Sequence, residues 1–141
     1  MGFGEAVKSA LSKYATFSGR ARRAEYWWFA LFNGLIGLIT AILDNVLFRR
    51  YGMGFPETGP LAALTSIGLL LPGLAVWCRR LHDVGRSGWW WLLVFLPVIG
   101  WIVLFYWSVR RGDVGANTYG PDPITDSGSY ATTDIPRVTR R

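Results

Sequence analysis

"WWWLLVFLPVIGWIVLFYWSV", residues 89–109, runs for 21 positions without a charged side chain. As a single helix it would rise about 31 Å, enough to cross a hydrocarbon core of about 30 Å. Trp89, Trp90 and Trp91 at one end and Tyr106 and Trp107 at the other stand where interfacial aromatic belts stand. Pro97-Val98-Ile99-Gly100 interrupts the middle. If those four residues form a turn, the segment becomes a re-entrant hairpin. Its arms, about eight residues and roughly 12 Å each, would reach only mid-bilayer, where non-helical backbone must be covered by protein. A third full span is therefore the expectation, with the hairpin as its alternative.

Two more apolar runs precede it. "YWWFALFNGLIGLITAILDNVLF", residues 26–48, has no charge before Asp44, and "LAALTSIGLLLPGLAVWC", residues 61–78, has none. Both are expected to span. Pro72-Gly73 would end a soluble helix, but in a membrane a neighbouring segment can satisfy the freed carbonyl, so a kinked span is expected. The run at 26–48 is too long for a cleavable leader and reads as a retained anchor. Residues 3–14 place Phe3, Val7, Ala10, Leu11 and Tyr14 three and four apart, with Glu5, Lys8, Ser12 and Lys13 opposite, a short amphipathic helix. It would lie in the headgroup layer or pack on the protein's own loops. Residues 1–123 form one integral helical domain, and the polar, Gly/Pro/Ser/Thr-rich stretch 124–141 is expected to be a disordered tail. The fold class is an all-α membrane protein.

Composition agrees. The chain has 141 residues, 51% of them hydrophobic, with a formal charge of +6 and a mean hydropathy of +0.25. The basic residues cluster at the ends of apolar runs and not on a solvated face, which argues against nucleic acid as partner. One cysteine, Cys78, and one histidine, His82, make no zinc or haem ligand set, and no cofactor is expected. Lys8, Lys13, Arg20, Arg22 and Arg23 precede the first run, and Arg79, Arg80 and Arg86 follow the second; only Arg49 and Arg50 follow the first. The N-terminus and residues 79–88 are thus expected in the cytoplasm together. Three spans would put Arg110 and Arg111 outside, against that rule.

Small residues mark helix contacts: Ala30, Asn33, Gly37, Ala41 and Asp44 on the first run, and Thr65, Gly68, Pro72, Ala75 and Arg79 on the second. Asn33 is expected to bond Thr65 or the carbonyl freed by Pro72. Asp44 reads as a solvated acid at a helix end. No span carries an ionisable group in its central third, unlike a proton or ion path.

"RRLHDVGRSG", residues 79–88, is the densest polar stretch. His82 and Asp83 are adjacent and on a helix point about 100° apart, so Asp83 cannot easily orient His82 as a base; no enzyme is expected. Arg79 and Asp83 lie one turn apart, Gly85 can close the helix in a left-handed conformation, and Ser87 can cap the next. Arg79, Arg80, Arg86 and Ser87 beside the amides that open the third segment form a candidate anion or lipid-headgroup site, which Arg20, Arg22 and Arg23 could reach. Asp83, His82 and Asn33 are the candidate structural network. Two functions stay open: a non-catalytic module contacting anionic lipid or a partner membrane protein, including another copy of itself, and a subunit of a small oligomeric transporter or channel.

"GRARRAEYWWF" at 19–29, "RRLHDVGRSGWWWLL" at 79–93 with "LPVIGW" at 96–101, and "NTYGPDP" at 117–123 together resemble the family of small bacterial inner-membrane proteins known as domain of unknown function 805. The resemblance implies an all-helical, multi-pass protein of the bacterial inner membrane. It implies no reaction.

Overall fold

The computed structural model describes residues 1–48 and 58–124. The expected disordered tail at 124–141 lies outside the described residues except for Ile124. Helices α1 (Phe3–Ser12), α2 (Arg23–Leu47) and α3 (Pro60–Asp83) are followed by a 3-10 helix, Gly88–Phe95, and by α4, Ile99–Val109. No strand occurs among the described residues. At 25 and 24 residues, α2 and α3 rise about 37 and 36 Å, long enough to cross a bilayer.

These two helices pair antiparallel, and a ladder of contacts sets their register. The Asp44 carboxylate accepts the Leu61 and Ala62 amides at 3.0 and 2.8 Å. The hydroxyls of Thr40 and Thr65 meet at 3.5 Å, Phe29 and Val76 share an apolar cluster with Ala10, and Glu25 pairs with Arg79 at 2.8 Å. Steps of four or eleven residues down α2 are matched by nearly equal steps up α3, the spacing that keeps residues on one helix face. The buried stripe of α2 is therefore Glu25, Phe29, Thr40 and Asp44. It is offset from the expected face, whose Ala30, Gly37 and Ala41 are exposed.

Asp44 corrects its reading as a solvated acid. It is 6% exposed and caps α3 from the neighbouring helix, taking two of the amides that this helix start leaves unpaired. Gly59 lies so close to that carboxylate that any β-carbon would overlap it. We expect Asp44→Ala to lower stability by about 1–2 kcal/mol, the usual cost of a lost N-cap, and Asp44→Asn to recover part of it; thermal unfolding in detergent would show both.

Helix α3 continues through Pro72, which is buried. Proline has no N–H, so the Gly68 carbonyl four residues earlier loses its helical donor. The Tyr14 hydroxyl, just beyond α1, donates to that oxygen. Helix α1 is thereby tied across α2 and α3. Phe3 meets Trp28 edge-on, with centroids 5.9 Å apart, and Ser9 donates to Glu25.

The third apolar run is not the single helix expected over 89–109. The chain turns at Val98, whose φ of +65° and ψ of −67°, with the Ile99 amide on the Pro97 carbonyl at 2.8 Å, make a tight γ-turn. A β-branched residue there is strained. The returning arm packs along the first: Trp107 near the end of α4 meets Trp90 near the start of the 3-10 helix at 5.8 Å. Each arm is about 16 Å long, half a hydrocarbon core.

Much of the backbone around the turn is paired within the hairpin. Pro97 has no amide to satisfy. Gly100 donates to Leu96 and Leu96 to Leu93, and the Trp101 indole donates to the Val94 carbonyl at 2.8 Å. Gly100 sits where a β-carbon would strike the Leu93 carbonyl, so the arms close tightly.

Large apolar side chains such as Leu38, Ile42, Leu64, Ile67, Leu70, Ile102 and Phe105 stand more than half exposed along the helices. So much apolar surface is foreign to water-facing monomers and suits a lipid-facing wall.

Candidate functional site

The polar groups gather at one end of the helices. There the N-terminal segment, the end of α3 and the chain after α4 come together. Arg79 and Arg80 are successive residues on α3 and so point to different neighbours. Arg79 turns to α2, where its Nη1 donates to Glu25 at 2.8 Å. Arg80 turns to the hairpin. Its Nε donates to the Ser108 carbonyl at 3.2 Å and its Nη2 to that of Trp107 at 3.2 Å. The same Nη2 donates to the Arg110 carbonyl, and Nη1 pairs with Asp83. Arg80 is thus a cationic cap on the last carbonyls of α4, where a helix end is partly negative.

Asp83 holds a second arginine. Arg20 donates through Nε to its Oδ1 at 3.0 Å, and Arg20 also reaches the carbonyls of Gly115 and Asp113, at 2.6 and 2.5 Å. Two buried guanidiniums share one carboxylate. The surplus positive charge faces main-chain carbonyls, whose dipoles replace the lost hydration. Gly112 rests on the Asp83 carboxylate, with no room for a β-carbon, and the Asp113 amide donates to the Asp83 carbonyl at 2.7 Å.

"NTYGPD" completes the clasp. The Asn117 side-chain amide donates to the His82 carbonyl at 2.9 Å, Tyr119 stacks on the His82 ring at 4.0 Å, and Asp122 accepts the Gly115 amide. His82 Nδ1 lies 3.0 Å from the Gly19 carbonyl, while its Nε2 lies 3.6 Å from Cys78 Sγ. Gly85 ends the helix region at φ +71°, and the Ser87 hydroxyl accepts the Trp89 amide at 3.4 Å.

The candidate residues thus divide. Arg20, Arg79, Arg80 and Asp83 are buried in ion pairs, but Arg79 and Asp83, one turn apart, do not pair with each other: Asp83 is taken by Arg20 and Arg80, and Arg79 by Glu25. Arg86 lies 5.2 Å over the Trp107 ring, apart from Arg79. The amide-lined anion site drawn through Arg79, Arg80, Arg86 and Ser87 is therefore not assembled. Asn33 stays mid-helix, outside the network. Its Oδ1 is buried with no partner among the described residues: the Thr65 hydroxyl, the expected donor to it, bonds carbonyls of its own helix, and Tyr14 takes the Pro72-freed carbonyl expected to meet the Asn33 Nδ2. Arg22 and Arg23 line a second basic surface with Arg111 around Trp27. Among the described residues, Arg22, Arg23, Arg86, Arg110 and Arg111 form no ion pair.

Glu25, Asp113, Asn117 and Tyr119 went unassigned on sequence. An acid inside "GRARRAEYWW" signals a buried pair for Glu25. Nothing local marks the other three, whose partners at the end of α3 lie far back in the chain.

Residues 14–121 match the family described as "Protein of unknown function (DUF805)". The chain belongs to that family. It is 45% identical over 115 residues to the inner membrane protein YhaI of Escherichia coli K12, covering 82% of this chain and 92% of the relative. It is 43% identical over 114 residues to the inner membrane protein YhaH of the same strain, covering 80% and 91%. The uncharacterized protein YiiR of that strain is 34% identical over 100 residues, 69% of this chain and 60% of its own length. No solved structure matches. The resemblance drawn from the three motifs holds, and those motifs now have structural jobs: "GRARRAE" supplies Arg20 and Glu25, "RRLHDVGRSG" supplies Arg79, Arg80 and Asp83, and "NTYGPD" clasps the end of α3. The DUF805 match ends at Pro121, inside that clasp, so it takes in nearly the whole described polar end.

Proposed function

We propose that this DUF805 chain is a non-catalytic module of the bacterial inner membrane. Helices α2 and α3 cross the bilayer, the hairpin re-enters it, and the polar end lies in the cytoplasm against anionic lipid headgroups. The observation that carries the reading is a set of arginines without acidic partners among the described residues: Arg23, Arg110 and Arg111, which are exposed, and Arg22, which is half-buried. Three of them group with Trp27 at the end where the buried network closes the fold. Arginines beside a tryptophan at an apolar boundary suit a phosphate-rich headgroup layer. With a hairpin, Arg110 and Arg111 join the other basic clusters on one side, and their conflict with the positive-inside rule disappears.

The transporter alternative has less support. A pore needs polar side chains along the spans, here Asn33, Thr40, Thr65 and Ser66, and Thr40 and Thr65 bond carbonyls of their own helices. Native mass spectrometry from mild detergent tests the module. With each cationic contact worth about 1 kcal/mol at an anionic surface, Arg23→Gln with Arg111→Gln should weaken phosphatidylglycerol retention about 30-fold. Parent-like retention would refute the headgroup reading.

A further inference from the structure

Beside α1 the polar end holds a cleft of about 370 Å³, lined by Ser9, Lys13, Ser18, Arg22, Glu25 and Arg79 among others. Its unusual member is Arg79, 1% exposed. The guanidinium gives Nη1 to Glu25, but Nε and Nη2 are buried without a partner among the described residues. Those two nitrogens form the side-on edge of the group, a pair of parallel N–H donors spaced for two oxygens of one acid. Other buried arginines of this fold spend that edge: Arg20 gives Nε and Nη2 to Asp83, and Arg80 gives them to carbonyls of α4.

We propose that this cleft binds a phosphate group, taken by the free edge of Arg79 with Lys13 and Arg22 as further cations and the Ser18 hydroxyl at hand. The cleft carries more positive than negative side chains, since Glu25 faces Lys13, Arg22 and Arg79. Glu25 itself is engaged by Ser9 and Arg79, which holds the fork in place. A tetrahedral anion accepts from several directions at once, and the cleft offers guanidinium, ammonium and hydroxyl donors. A phospholipid with a terminal phosphate and a soluble phosphate share that chemistry.

The test uses the full chain in mild detergent and follows thermal unfolding. Inorganic phosphate and dioctanoyl phosphatidic acid are titrated separately, against chloride at equal ionic strength and dioctanoyl phosphatidylglycerol as controls. At least one phosphate probe should raise the melting temperature saturably above its control. Lys13→Gln and Arg79→Lys, which keeps the charge but loses the fork, should each raise the half-saturating concentration about tenfold or more, the weight of one good charged contact. If Arg79→Lys does not fold, Lys13→Gln and Ser18→Ala carry the same comparison. Phosphatidic acid acting alone, with inorganic phosphate inert, assigns the group to a lipid; inorganic phosphate acting with equal or greater effect assigns it to a soluble anion. Neither probe exceeding its control, or an unchanged half-saturation in the lining variants, overturns the site. Arg23→Gln with Arg111→Gln should leave this response in place, so the headgroup surface and the cleft can each fail alone.

Discussion

Asp83→Ala should be the most damaging single substitution in the polar end, destabilising the fold by about 3–5 kcal/mol, the cost of removing one partner from a buried ion pair. Two buried guanidiniums, Arg20 and Arg80, would lose their shared carboxylate. Through them the N-terminal segment, the last carbonyls of α4 and residues 113–115 would lose their common anchor. Against a total stability of about 5–15 kcal/mol, that is a loss of about a fifth or more. Asp83→Asn keeps an acceptor but not the charge and should fall between alanine and the parent. Arg86→Ala is the control. Its guanidinium lies over Trp107 on an exposed residue, a contact worth about 0.5–1 kcal/mol, so its melting temperature should stay near the parent's. Size-exclusion profiles after a heating series would rank the three. An Asp83→Ala protein that melts with the parent would show that the arginines are held by their carbonyl contacts alone.

The second large effect is all-or-none and concerns sidedness. In a Cys78→Ser background, single cysteines replacing Lys8, Thr58 and Val114 occupy exposed positions. The Asp83 and Arg20 contacts place residues 113–115 beside the N-terminal segment, whereas Thr58 adjoins the Asp44 end of α2 and α3. A membrane-impermeant maleimide should therefore label positions 8 and 114 from the same face and position 58 from the other. On the proposed orientation the shared face is cytoplasmic. Labelling of 8 and 114 from opposite faces would restore three complete spans and remove the hairpin.

Much of the architecture was legible because its signals are local. The lengths of the apolar runs, the arginines at their ends and the period of Phe3, Val7, Ala10 and Tyr14 are properties of neighbouring residues. They specify helices and a membrane whatever the chain does later. Gly85 at positive φ and Ser87 on the Trp89 amide were likewise readable, since capping depends on residues within one turn. The site was legible only as a concentration of charge. Which arginine pairs with which acid depends on the register of α2 against α3, and a rotation of about 100° separates Arg79 on Glu25 from Arg80 on Asp83.

The amino-acid order alone settled that this chain makes apolar helices suited to a bilayer, with a basic end. Whether 89–109 forms one helix or two that fold back on each other could be settled only by the folded chain. Pro97 and Gly100 permit a turn but do not require one. The outcome rests on the Trp101 indole satisfying Val94 and on Arg80 gathering the carbonyls at the end of α4. Asp44 shows the same division: its charge near a helix end is a sequence fact, but its place on the α3 amides exists only once two helices lie side by side. Buried polar groups take whatever partner the packing brings within hydrogen-bond reach, and that partner is seldom a neighbour in the chain.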